Sequence, residues 1–125
     1  MIEDDNLEYQ QEIIEADGTL YTGQTKKGEK TKQGYGHQVW PDGAHYEGIW
    51  KDGMQHGHGK YYHRDGDVYE GEWKDNKADG YGVYKHANGS VYEGEWVEDN
   101  QEGFGREEWA DSSHYSGNYI KSTKQ

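Results

Sequence analysis

Three sets of side chains in this chain carry groups that could do chemistry: seven histidines, 25 carboxylates and one cluster of lysines, with no cysteine to act as nucleophile or thiolate ligand. His63 and His86 stand one repeat interval apart, and His56 and His58 share a strand face, so either pair could approach a metal ion. Neither pair converges with carboxylates at a fixed ligand spacing, so the histidines read as polar positions on a surface and no metal site is expected. The carboxylates could supply an acid and a base. Glu47, Glu70 and Glu93, however, recur at one interval, whereas a catalytic carboxyl is normally a single group tuned by one environment. No nucleophile elbow, phosphate loop or dinucleotide fingerprint is present, because Gly57-His58-Gly59 and its counterparts lie in strand-like stretches. The expectation is a chain that is not an enzyme and needs no cofactor. The basic patch is Lys26, Lys27, Lys30 and Lys32. A lysine near an anionic membrane surface contributes about 1 kcal/mol, so these four are candidate lipid-binding residues. The acidic first 20 residues, with seven acids and no base, adjoin them and oppose that use.

What positions these groups is a repeat. The strings Tyr46-Glu-Gly-Ile-Trp50, Tyr69-Glu-Gly-Glu-Trp73, Tyr92-Glu-Gly-Glu-Trp96 and Tyr115-Ser-Gly-Asn-Tyr119 begin 23 residues apart, and Tyr21-Thr-Gly-Gln-Thr25 precedes them by 25. Glycine pairs recur in the same register at Gly34 and Gly36, Gly57 and Gly59, Gly80 and Gly82, and Gly103 and Gly105. Asp42-Gly43, Asp65-Gly66 and Asn88-Gly89 close the units as turn signals. Gly18 shares that place, and Ser112 replaces the glycine in the last unit. Tyr69, Gly71 and Trp73 alternate with Glu70, Glu72 and Lys74, a period of two that puts rings and glycine on one face and charge on the other. Each unit therefore reads as strand, turn, strand, turn. Glycine within a strand signals close approach, so the rings are expected to lie over bare glycine backbone.

Composition permits such a core. Mean hydropathy of -1.42, 30% charged residues and a net charge of -12 would by themselves suggest disorder. Against that stand 5 Trp, 12 Tyr and 1 Phe, which bury large areas per side chain. The negative charge argues against nucleic acid as a partner, since that affinity comes mostly from cations on phosphates. The N-terminal residues are acidic where a leader would be basic, and no apolar run reaches spanning length, so an intracellular location is expected.

With its Tyr-x-Gly-x-Trp string, Gly-x-Gly and Asp-Gly at a 23-residue period, the chain resembles the MORN (membrane occupation and recognition nexus) repeat over roughly residues 18–119. The resemblance implies an all-β fold, an elongated single-layer antiparallel meander of tandem β-hairpins. It divides the chain into an acidic segment and capping strand at 1–17, an array of about four full units plus a half unit at 18–119, and a tail at 120–125. Two strands per unit advance about 10 Å, so five units would make a rod of roughly 50 Å. Members of the family occur in ciliary and cytoskeletal structures, in membrane junctions and fused to enzymes. The implied function is a structural scaffold for protein–protein interaction in a cilium, axoneme or cytoskeletal assembly, located in the cytoplasm, cytoskeleton or cilium. The alternative is a tether for phosphoinositides or other anionic phospholipids, working through the lysine turn. In a single layer, part of the aromatic stripe stays accessible, so Tyr46, Trp50, Tyr69, Trp73, Tyr92 and Trp96 are the candidate partner-binding residues for a helix or extended segment. The half units at either end would leave strand edges able to pair with another chain.

Overall fold

The computed structural model describes residues 1–124, among which eleven strands form one antiparallel sheet in strict chain order. They are β1 Leu7–Ile14, β2 Leu20–Lys26, β3 Lys32–Val39, β4 His45–Lys51, β5 Met54–Tyr62, β6 Val68–Lys74, β7 Lys77–Lys85, β8 Val91–Val97, β9 Asn100–Glu108, β10 His114–Ile120 and β11 Thr123–Lys124. The all-β meander read from the repeat is the architecture found. Within each unit the Tyr-x-Gly-x-Trp string forms the even-numbered strand and the Gly-x-Gly segment lies inside the odd-numbered strand that follows.

Burial alternates as the period of two requires: along β6, Tyr69, Gly71 and Trp73 are buried while Glu70, Glu72 and Lys74 are exposed. The core is a row of rings. Tyr21, Tyr46, Tyr69 and Tyr92 are at most 2% exposed, and each meets a tryptophan edge-on, as Tyr69 does with Trp73 at 5.1 Å and Trp96 at 5.3 Å. Every such tyrosine lies along its own strand and donates its hydroxyl to the carbonyl three residues on, for example Tyr46 to Ile49 at 3.0 Å and Tyr92 to Glu95 at 3.0 Å. The ring then covers a cross-strand glycine pair such as Gly48 and Gly59, and a Cβ built on Gly59 would overlap the Tyr46 ring and hydroxyl. Each tryptophan ties its hairpin to the one before: Trp50, Trp73 and Trp96 donate Nε1–H to the carbonyls of Gly36, Gly59 and Gly82.

The two glycines of Gly-x-Gly have different duties. The second makes room for tyrosine. The first sits in a bulge, where the register of β4 on β5 shifts between Gly48 and Trp50, and Gly57 takes a φ of 66°. The odd strands begin before this pair and do not open on it.

Two kinds of turn alternate. The Asp-Gly signals sit in the longer loops, where Asp42, Asp65, Asn88 and Asp111 accept from the backbone N–H two residues on. The tight turns at Asp52-Gly53, Asp75-Asn76, Glu98-Asp99 and Lys121-Ser122 place both central residues at positive φ. Their second residues reach back to the preceding hairpin. Asn76 Oδ1 accepts from Gln55 N at 2.8 Å, Asp99 Oδ1 from Ala78 N at 2.7 Å, and Ser122 Oγ from Gln101 N at 3.0 Å.

At the ends, β1 covers β2 as the capping strand assigned to residues 1–17. Within the tail drawn at 120–125, Ile120 ends β10 and Thr123–Lys124 pair back on it as β11. Gln125 of that tail lies outside the described residues.

Candidate functional site

A trough of about 670 Å³ runs across the strands on the ring-bearing face, from Lys32 and Gln38 at one end to Asp99 at the other. Trp50, Trp73 and Trp96 form its floor with Gln55 and Ala78 between them, and Gly53, Asn76 and Asp99 of the tight turns make one side. The other side is a row of half-buried rings supplied by the ends of the odd strands. Trp40 meets Tyr61 at 5.3 Å, Tyr61 meets His63 at 4.5 Å, His63 meets Tyr84 at 5.8 Å, and Tyr84 meets His86 at 4.6 Å. Floor and wall touch where Tyr61 faces Trp73 at 6.0 Å and Tyr84 faces Trp96 at 6.1 Å, tilted by 39° and 32°.

This geometry corrects the accessibility expected of the first-strand aromatics. Tyr46, Tyr69 and Tyr92, which are themselves the rings covering the glycines, are at most 2% exposed, and Trp50, Trp73 and Trp96 are at most 9% exposed. The trough rings left half-exposed are Trp40, Tyr61 and Tyr84, which lie outside the Tyr-x-Gly-x-Trp string. Their signal was the repeat itself: Gln38, Tyr61, Tyr84 and Glu107 occupy one repeat position, and Trp40, His63, His86 and Trp109 another. His63 and His86, weighed as a metal pair, are instead members of this ring row. Among the described residues no three histidine, aspartate or glutamate side chains gather as a metal would require.

The wall is fixed by carboxylates. Asp67 accepts the Tyr84 hydroxyl at 2.7 Å and the Ala87 N–H at 2.8 Å, and its Oδ2 lies 3.6 Å from His86. These bonds, led by the one from Ala87, hold the Asp67 carboxyl below the usual carboxylate range. Burial, and then Asp67, push the Tyr84 hydroxyl well above ordinary phenol. Burial followed by the charge of Asp42 raises Tyr61.

The lysines do not form one patch. Lys26 ends β2 and pairs with Asp52 at 2.7 Å. Lys32, grouped with the basic patch, is the first residue of β3; it pairs with Glu15 at 2.8 Å, contacts Gln38 and lies over the Trp50 ring at 5.2 Å. Lys27 and Lys30 remain exposed in the loop between.

The opposite face carries a second row missed in the sequence, at the central position of Gly-x-Gly: Tyr35, His58, Tyr81 and Phe104. Tyr81 and Phe104 are 53% and 65% exposed, but carboxylates separate the rings: His58 sits between Glu70 at 3.4 Å and Glu72 at 3.3 Å, and the Tyr81 hydroxyl meets Glu93 at 3.4 Å. Scattered rings among acids make a solvated surface, whereas the trough brings its rings together.

The MORN repeat family model matches four consecutive segments, residues 21–45, 46–68, 69–91 and 92–114. Comparison with curated proteins gives no match. The family is generally non-enzymatic. The four matched segments coincide with the successive hairpins β2–β3, β4–β5, β6–β7 and β8–β9, each including the loop that leads to the next, and the chain belongs to the MORN repeat family.

Proposed function

We propose that the chain is a non-catalytic scaffold that holds a helix or an extended segment of a partner protein in the aromatic trough. The observation that carries this reading is one open channel in which Tyr61 and Tyr84 face the tryptophan floor and Trp40 extends their ring row. Half-buried Tyr and Trp give large contact area at low entropic cost, which is why they dominate binding hot spots. The family's ciliary and cytoskeletal members support placing the protein in such an assembly inside the cell. Trp73 and Trp96 are poor probes of binding, because each holds its hairpin to the previous one through Nε1.

The test is capture of partners from native extract by the wild-type chain and by a Tyr61→Ser, Tyr84→Ser variant. Loss of the captured protein with an unchanged sheet signal in circular dichroism supports the proposal; undiminished capture contradicts it. The lipid reading is disfavoured by the ion pairs that occupy Lys26 and Lys32. Vesicles containing anionic phospholipid are expected not to sediment the protein, and salt-sensitive sedimentation lost in a Lys27→Ala, Lys30→Ala variant would restore that reading.

A further inference from the structure

We infer that the occupant of the trough is a proline-rich segment in the polyproline II conformation that carries arginine or lysine. This rests on the trough being a protein-binding face and specifies its ligand.

The first ground is pitch. The facing ring pairs Tyr61–Trp73 and Tyr84–Trp96 recur once per two strands. At about 4.8 Å per strand, their interval is about 9.6 Å. A polyproline II segment has three residues per turn and rises about 3.1 Å per residue, so it returns to the same face every 9.3 Å or about that. An α-helix returns to one face after seven residues, about 10.5 Å. A β-strand does so after about 6.7 Å. Polyproline II stays in step with successive slots to within about 0.3 Å per unit, against about 0.9 Å for a helix and about 3 Å for a strand.

The second ground is chemistry. Pyrrolidine rings pack flat on aromatic surfaces, and aromatic-lined grooves are the usual receptors for this conformation. Its backbone carbonyls have no partner within their own chain and need donors from the groove. On the trough floor, Gln55 is 5% exposed and its amide Nε2 has no hydrogen-bond partner. A ligand carbonyl would give this donor a partner once the side chain turns outward from its buried position.

The third ground is charge. Asp99 lines one end of the trough, and Asp67 holds Tyr84 in the wall. The cation at the other end, Lys32, is bound to Glu15. An arginine or lysine on every third residue would lie along one side of the trough, where a carboxylate and the electron-rich ring faces both favour a cation.

Fluorescence polarisation of labelled synthetic peptides on the full chain tests this. The peptides are repeated Pro-Pro-Arg, repeated Pro-Pro-Glu, repeated Gly-Ser-Arg, and an alanine-based helix with the same number of arginines. Repeated Pro-Pro-Arg is expected to bind saturably and about tenfold tighter than the flexible or the helical peptide, because its conformation is preformed and in register. Repeated Pro-Pro-Glu is expected not to bind. Gln55→Met should weaken Pro-Pro-Arg binding severalfold, and Phe104→Ser on the opposite face should leave it unchanged. Equal or tighter binding of the helix overturns the polyproline II assignment and leaves the trough as a binding face. Equal binding of Pro-Pro-Glu overturns the charge preference. Absence of binding by repeated Pro-Pro-Arg overturns the proposal, while partner capture by the trough variant decides the scaffold reading separately.

Discussion

At the scale of single residues, the fold depends on tyrosines whose hydroxyls are bonded and whose rings rest on glycine. Burial raises the hydroxyls of Tyr21, Tyr46, Tyr69 and Tyr119 well above ordinary phenol and pushes Tyr92 up to about 12. Because the folded chain holds these protons more tightly than the unfolded one, their contribution is fully present below the ordinary phenol value of about 10 and is lost as pH rises toward the folded values. Tyrosinate absorbance during an alkaline titration should therefore lag and then rise together with loss of the sheet signal; smooth titration of these tyrosines near pH 10 with the sheet intact would contradict the packing described. Gly59→Ala should lower stability by about 1–3 kcal/mol, since its Cβ would collide with the Tyr46 ring. Gly43→Ala, where nothing lies near the added carbon and φ is 94°, should cost only backbone strain, on the order of 1 kcal/mol. Urea midpoints that rank the two alike would count against ring-over-glycine packing. That packing was legible in the sequence because only glycine in register explains rings and gaps repeating together. The half-buried rings of the trough wall were not, because Tyr61 and Tyr84 share their repeat position with Gln38 and Glu107 in the flanking units and only cross-strand neighbours show which rings meet.

At the scale of the hairpin, the tight turns are what the sequence concealed. Asp75-Asn76 and Glu98-Asp99 carry no Asn-Gly signature, yet all four residues adopt positive φ. The cost is offset by the side chains of Asn76 and Asp99, which satisfy backbone N–H groups of the previous hairpin. Among the described residues, Glu98 takes part in hydrogen bonds through its backbone N–H and carbonyl, and asparagine tolerates the left-handed region. Glu98→Asn should raise stability by roughly 0.5–1 kcal/mol in urea denaturation. Asp99→Ala should lower it by about 1 kcal/mol through the lost bond to Ala78. A stabilising Asp99→Ala would show that the turn does not clamp its neighbour. The lysine loop illustrates the same limit: its composition was plain, but the ion pairs of Lys26 with Asp52 and Lys32 with Glu15 join residues 26 and 17 positions apart and follow only from strand order.

At the scale of the whole molecule, each hairpin packs only on its neighbours, so stability is distributed as in other repeat arrays. Amide exchange should be slowest in the central strands β4 to β7 and fastest in β1 and β11, where one neighbour is missing; uniform protection would indicate a core that the sheet does not contain. Strand order and period were the most legible features, because a 23-residue register admits one meander. The trough emerges only when four hairpins are aligned, and it is the feature on which the functional reading rests. Its most direct test is capture of partner protein by three purified chains: wild type, Tyr61→Ser with Tyr84→Ser in the wall, and Tyr81→Ser with Phe104→Ser on the opposite face. Loss of the partner only in the wall variant, with all three chains folded, is the result predicted. Loss only in the opposite-face variant would contradict the assignment and move the binding surface to the other side of the sheet.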